Sequence, residues 1–236
     1  MSATGKLHHS YPYQIGGLSA MLGVLLGIIF ALMGPMNLDP QDMDSVLQTF
    51  AADKSRLQFH GLGVTVGALL TLGGLVVLHR SLLDGSAAVW ARLGLVAAIV
   101  KSILHVIGPM MGGSVMPAVA ESYVRAPVES ADAALLVGNG FFIFYEALLA
   151  PTLLTLSVTV LLFAIAILKS NVYPVWLGWA AIITGLYTAI GGVAFLFAGP
   201  MGAPDIMNAV LPGFMFSMVW IFVMGVYLWK LEKNIE

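Results

Sequence analysis

Four ionisable side chains stand inside long apolar stretches of this sequence, and they are the first candidates for chemistry. Lys101 and His105 are four residues apart, a spacing that puts both on one face of a helix. His60 and Glu146 lie in the neighbouring apolar stretches. Ionisable residues in such segments are expensive to bury and by default indicate a functional site. We therefore expect these four residues and the adjacent Tyr145 to form one polar cluster.

Three roles besides metal binding are open to this cluster. In the first, Lys101 and Glu146 form an ion pair that neutralises two buried charges. In the second, the cluster binds a small apolar or amphipathic ligand or relays protons, because histidine titrates near neutral pH. In the third, Glu146 and His105 are the acid and base of a membrane enzyme that acts on a lipid-like substrate.

A redox role is a further alternative. His60 and His105 would be the axial ligands of a b-type haem, since both are predicted at the outer ends of neighbouring helices. Met110, Met111 and Met116 would offer thioether ligands to cuprous copper. The chain has no cysteine, which removes thiolate ligands and thiolate catalysis. It also lacks the common nucleophile, zinc-protease and phosphate-loop motifs, so no catalytic residue is assigned.

The composition of the chain indicates that this cluster lies in a membrane. Of its 236 residues, 59% are hydrophobic and only 9% are charged, whereas a soluble domain carries about 25% charged residues. The formal net charge of −2 offers no basic surface to nucleic acid. A soluble enzyme, a disordered chain and a nucleic-acid-binding protein are all disfavoured. An integral membrane protein remains.

Six apolar segments are long enough to cross a bilayer as helices, since one span needs about 20 residues. They are predicted near residues 15–33, 59–78, 89–107, 140–168, 175–197 and 210–229. The fold class is therefore a single all-α transmembrane domain of six helices. The connections at residues 37–58 and 110–132 are predicted to contain short helices and to lie as lids over one end of the bundle.

The charges in the connections predict the orientation. One side of the bundle carries six Lys and Arg against three Asp and Glu, and the other side carries three against eight. Positive residues are enriched in cytoplasmic connections. Both termini are therefore predicted to be cytoplasmic, the polar cluster lies in the outer half of the bundle, and the expected location is the inner membrane of a bacterium.

The tripeptide Gly-Pro-Met occurs near the end of each odd-numbered span, at residues 34–36, 108–110 and 199–201. Gly and Pro both end helices, so each of these spans is predicted to stop there. The repetition suggests three helical hairpins in series.

Small residues and one proline indicate how the spans pack. Gly23 and Gly27 in the first span, and Gly63 and Gly67 in the second, have the G-x-x-x-G spacing that lets helix backbones approach closely. Pro151 is predicted to kink the fourth span.

Two stretches carry a family resemblance. One is Tyr173-Pro174-Val175-Trp176-Leu177-Gly178-Trp179, which enters a Gly-rich span; the other is Asp42–Phe50 with the helix Phe59–Leu78 that ends in His79-Arg80-Ser81-Leu82. Together they resemble an uncharacterised family of bacterial six-helix membrane proteins, known only as a domain of unknown function. The resemblance extends from Gly16 to Val193. It implies a six-helix fold and brings no reaction and no site residues with it.

The function predicted from the sequence is that of a non-enzymatic membrane protein that binds a ligand or serves as an accessory subunit. The expected partners are the lipid bilayer, a small apolar ligand and other membrane subunits, without nucleic acid. A haem- or copper-binding redox component and a lipid-directed membrane enzyme are the alternatives.

Overall fold

The computed structural model describes residues 7–35, 38–199 and 203–231, and within them it contains helices and no strands. The side chains of residues 7–11 and 203–210 are outside this description. The helices are α1 (Leu7–Ala31), α2 (Met43–Ala52), α3 (Lys54–Ser81), α4 (Ala87–Met110), α5 (Met116–Val124), α6 (Ala131–Ala147), α7 (Leu149–Leu168), α8 (Val175–Ala198) and α9 (Ala203–Leu231). A π-helical turn, Met111–Val115, joins α4 to α5, and a 3-10 turn, Val128–Ser130, precedes α6.

Six segments have the length and apolarity to cross a membrane, which confirms the all-α class with six spans. Their membrane-crossing helices are α1, α3, α4, α7, α8 and α9. The outer surface of the bundle is apolar too: Ile183 and Ile190 on α8 are 68% and 70% exposed. A soluble protein would bury such side chains, whereas lipid accepts them. An even number of crossings puts the start of α1 and the end of α9 on the same side.

The six spans form a closed ring in which each packs against the spans before and after it. The order around the ring is α1, α3, α4, α7, α8 and α9, and α9 returns to contact α1. At that seam the glycines Gly17 and Gly225 meet, because a Cβ on Gly17 would lie 2.5 Å from the Gly225 carbonyl oxygen. The suggested hairpin pairs do contact one another, but α7 and α8 pack together just as closely. The bundle is therefore one ring rather than three separate hairpins.

A small helical cap covers one end of the ring. It consists of α2, α5 and α6, which pack around their own apolar core of Leu47, Phe50, Met116 and Phe142. The Tyr123 hydroxyl of α5 donates a 2.6 Å hydrogen bond to Asp44 of α2. Short helices are thus present in both connections that were predicted to form lids.

The middle Gly-Pro-Met copy coincides with the end of α4 at Met110, but the predicted stop is incomplete. The chain continues in a helical path through the π turn Met111–Val115 into α5. Pro109 has no N–H to offer the His105 carbonyl, and the wider π turn that follows accommodates the loss. That turn passes against α3, where a Cβ on Gly113 would lie 2.6 Å from the Leu57 carbonyl oxygen. Backbone contact of this kind holds the chain in a helical path beyond the proline.

The other two copies behave as predicted where the structure describes them. Helix α1 ends at Ala31, and α8 ends at Ala198 before Gly199, whose φ of +67° favours glycine. Met36, Pro200 and Met201 lie outside the described residues.

The fourth span is interrupted, so its predicted range of 140–168 is not one helix. Helix α6 ends at Ala147 and α7 begins at Leu149. Pro151 causes the break, because it cannot donate to the Ala147 carbonyl four residues earlier. The predicted kink is present, and it divides the segment into a spanning helix, α7, and the cap helix α6.

We expect alanine substitutions at the two glycines of the motif in α1 to differ in their effect on the free energy of unfolding. A Cβ on Gly23 would lie 2.5 Å from the backbone nitrogen of Thr71 in α3, whereas a Cβ on Gly27 would meet nothing within 4 Å. Gly23→Ala should therefore lower the free energy of unfolding by about 1–3 kcal/mol through overpacking. Gly27→Ala is the matched control and should leave it unchanged or slightly raised. Thermal unfolding of the detergent-purified variants, followed by tryptophan fluorescence, measures the difference; equal loss in both would contradict this packing.

Candidate functional site

Four of the five residues of the predicted polar cluster line a cavity of about 220 Å³ near the capped end of the ring. This outer cavity lies between α1, α3, α4 and the junction of α6 with α7. Most of its wall is apolar, as at Val64, Leu104 and Leu149. Its polar lining residues are His60, His105, Tyr145, Glu146 and Thr152.

Lys101 lies next to a second, smaller void. This inner cavity has a volume of about 40 Å³ and is lined by α1, α3, α4 and α9. Ala31, Val64 and His105 line both cavities, so His105 stands at the boundary between them. At a rise of 1.5 Å per residue, the four-residue spacing places Lys101 about 6 Å from His105 along α4.

His60 is held by the end of α1. Its Nδ1 is 2.8 Å from the carbonyl oxygen of Phe30 in the last turn of that helix, an oxygen that also accepts a hydrogen bond from the Met33 backbone N–H at 3.0 Å. A carbonyl only accepts hydrogen bonds, so Nδ1 is the donor and Nε2 of the neutral ring keeps its lone pair. Gly34 makes room for the ring, since a Cβ there would lie 3.0 Å from the His60 Cε1.

Lys101 is buried without a partner. Only 3% of the residue is exposed, and its ammonium has no hydrogen bond or ion pair in the described part of the chain. The ion pairs among the described residues are Lys54–Glu121, at 2.9 Å, and Arg56–Asp53. The ion pair between Lys101 and Glu146 that the sequence suggested is therefore not formed. Lys101 lines the inner cavity, whereas Glu146 stands at the α6–α7 junction and lines the outer one.

Packing rather than hydrogen bonding holds His105. Its ring stacks on Phe214 of α9, with centroids 6.3 Å apart and an interplanar angle of 25°. Neither ring nitrogen has a hydrogen bond within the described ranges. The role of Phe214 was not predicted, because nothing in the sequence indicates that the sixth span packs against the third at this depth.

The structure separates the proposed metal ligands. His60 and His105 line the same cavity, but Met110 and Met111 are absent from its lining. Met110 is exposed on the surface, and Met116 is fully buried in the core of the cap. Nor does any group of three or more His, Cys, Asp or Glu side chains suited to a metal ion occur in the part of the chain that is described.

A ring of six long apolar helices, with a few polar side chains facing its internal cavities, defines an integral membrane protein with six transmembrane helices. Residues 15–228 match the family described as Domain of unknown function (DUF4386). The match covers most of the chain, which therefore belongs to this family, and the resemblance to an uncharacterised domain family is confirmed. No curated protein and no solved structure matches the chain at a significant level.

The hydrogen bond of His60 predicts its tautomer. The neutral ring should carry its proton on Nδ1, because the Phe30 carbonyl can only accept. A long-range proton–nitrogen correlation spectrum of isotope-labelled protein distinguishes the two tautomers, with His60 assigned by its absence in His60→Gln. His79, on the same helix, has no ring hydrogen bond among the described residues and serves as the comparison. A His60 ring protonated on Nε2 alone would contradict the geometry.

Proposed function

We propose that this protein binds a small amphipathic molecule in the outer cavity, without catalysing a reaction, and that it does so in the inner membrane of a bacterium. The supporting observation is that His105, Tyr145 and Glu146 face one cavity and make no hydrogen bond or ion pair in the described structure. These three residues are half-buried, so their polar atoms are open to a partner in the cavity. A ligand with matching polar groups would satisfy them.

The size and lining of the cavity support a ligand of limited size. Drug-sized molecules occupy pockets of about 300–1,000 Å³ that are mostly apolar and contain a few convergent polar groups. The outer cavity has the same kind of lining at about 220 Å³. Val64, Leu104 and Leu149 offer contacts to an aliphatic chain, while the polar residues offer both donors and acceptors.

The arrangement supports binding rather than catalysis. A hydrolytic or acyl-transfer site needs a nucleophile bonded to a base that a third group orients. His105 and Glu146, the acid and base considered for such an enzyme, bond to no nucleophile or orienting group among the described residues. His60 is oriented by the Phe30 carbonyl, but no hydroxyl is hydrogen-bonded to its Nε2 in the described structure. This favours a ligand-binding protein, or an accessory subunit that holds such a ligand, over the lipid-directed enzyme.

Tyr145 connects the cavity to the cap. Its ring lines the cavity, packs 6.4 Å from that of Phe142 in the cap core, and covers Gly112 of the π turn. A Cβ on Gly112 would lie only 2.9 Å from the Tyr145 ring. A ligand that contacts Tyr145 would therefore also support the packing of the cap on the ring.

Filling the cavity should weaken binding. A Cβ on Gly108 meets nothing within 4 Å, and Gly108 lines the outer cavity, so Gly108→Leu places its side chain there. Gly140→Leu is the matched control, because Gly140 is equally open but does not line this cavity. With octanol as the probe and the protein in lipid nanodiscs, calorimetry should show binding to the wild type and to Gly140→Leu. Gly108→Leu should bind at least about tenfold more weakly, the effect of about 1.4 kcal/mol.

Two results would contradict the proposal. One is a heat of binding for the wild type equal to that of empty nanodiscs. The other is unchanged octanol binding in Gly108→Leu.

A haem- or copper-binding redox component is the second candidate, and the observation in its favour is that His60 and His105 line one cavity. The visible absorption spectrum and the metal content of the purified protein test it. A haem band or bound copper that is lost in both His60→Ala and His105→Ala would establish this role in place of the first.

A further inference from the structure

We infer that the ligand of the outer cavity carries a carboxylate group, which binds Lys101 in the inner cavity. This inference rests on the proposed function and adds the chemical class of the ligand and the residue that recognises it. Three features support it: an unpartnered cation, a void beside it without acidic groups, and a shared wall between the two cavities.

The cation is the ammonium group of Lys101. It carries three hydrogen-bond donors, and the described part of the chain supplies no acceptor for any of them. A buried charge without a counter-charge is strongly unfavourable, and pairing with an anion removes much of that penalty. An anionic group next to Lys101 would supply both the opposite charge and the acceptors.

The inner cavity has room for such a group and offers it no repulsion. Its volume of about 40 Å³ exceeds what one water molecule requires, about 10–15 Å³ by the same kind of measure. The residues that line it from α1, α3 and α9 include no charged side chain, and α4 contributes only Lys101 and His105. The Thr71 hydroxyl donates its proton to the Gly67 carbonyl oxygen at 2.8 Å, so it has no second proton to donate to a ligand, although its lone pairs can still accept.

Gly27 leaves space in this void, whereas Gly23 and Gly67 hold α1 and α3 in backbone contact. Gly23, Gly27 and Gly67 line it from α1 and α3, and a Cβ on Gly27 would meet nothing within 4 Å. The motif that brings α1 against α3 therefore also leaves a space beside Lys101. A planar, singly charged group fits one cation and a small space better than a doubly charged phosphate does.

The residues that line both cavities, Ala31, Val64 and His105, indicate the orientation of the proposed ligand. In the proposed pose the carboxylate lies at Lys101 and the aliphatic part lies against Val64 and Leu104 in the outer cavity, which requires the His105 side chain at the shared boundary to leave a passage between the two cavities. His105 stands at the boundary, where a ring N–H can donate a second hydrogen bond to the same group. Glu146 lines the outer cavity and disfavours an anionic head group at that end. The two charges thus orient the molecule.

The test compares head groups on one aliphatic chain. Octanoate, octanol and octylamine are titrated by calorimetry at neutral pH into the full chain in nanodiscs of neutral lipid, with empty nanodiscs as the blank. The wild type should bind octanoate about tenfold to a hundredfold more tightly than octanol, the range expected of a hydrogen bond to a charged group. Octylamine should bind no more tightly than octanol.

Two variants assign the preference to Lys101. Lys101→Met removes the charge and keeps an unbranched side chain, and it should bind octanoate no better than octanol while octanol binding persists. Lys169→Met is the matched control, because Lys169 is an exposed cation in the connection after α7, and it should behave like the wild type. If Lys101→Met does not fold, as judged by circular dichroism and gel filtration, Gly27→Val fills the inner cavity instead. It should lose the octanoate preference alone.

The remaining outcomes distinguish failure of this inference from failure of the proposed function. If the wild type binds octanol and octanoate equally, or if the octanoate preference survives in Lys101→Met or Gly27→Val, this inference is overturned and the ligand cavity stands. A preference for octylamine would assign the head group to Glu146 and also overturn it. If the wild type binds none of the three, the proposed function fails together with the inference.

Discussion

The close backbone contacts of α3 are the constraint on which the rest of this structure depends. On one side Gly67 lies against Gly23 of α1, and on the other Gly61 lies against Gly113 of the π turn. Lipid provides no hydrophobic force that drives helices together, so contact at small residues has to hold them. Helices that touch at glycines leave gaps where side chains are absent. The inner cavity lies in a gap of this kind, lined by Gly23, Gly27 and Gly67, and Lys101 and His105 face it.

Much of the fold could be predicted from the sequence because its signals are local. The length and apolarity of each span, the Pro151 kink and the lid helices depend on short stretches of chain. The course of the chain at Pro109 could not be predicted in this way. A proline ends a helix unless the groups it frees find room elsewhere, and that room depends on Gly61, about 50 residues earlier. The sequence shows Gly61 and Gly113, but it does not show that they are in contact.

The same distinction applies to the site. The spacing of Lys101 and His105 on one helix is a local property, and the approach of His60 follows from two antiparallel neighbours. The depth of one helix relative to another depends on contacts between distant parts of the chain. The sequence alone therefore could not show whether Lys101 and Glu146 form an ion pair. Glu146, just before the break at Leu148, lines the outer cavity, whereas Lys101 lines the inner one. A site with separated charges differs chemically from an ion pair, since each charge remains available to a ligand.

The seam between α1 and α9 also bears on the order in which the protein assembles. A ribosome delivers the spans one at a time, and N-terminal segments fold first. The surface of α1 around Gly17 therefore stays exposed to lipid or to a chaperone until the sixth span is inserted and Gly225 packs against it. Closure of the ring is a late event between residues far apart in sequence. Quality control that senses this seam would distinguish finished molecules from those that stopped at five spans.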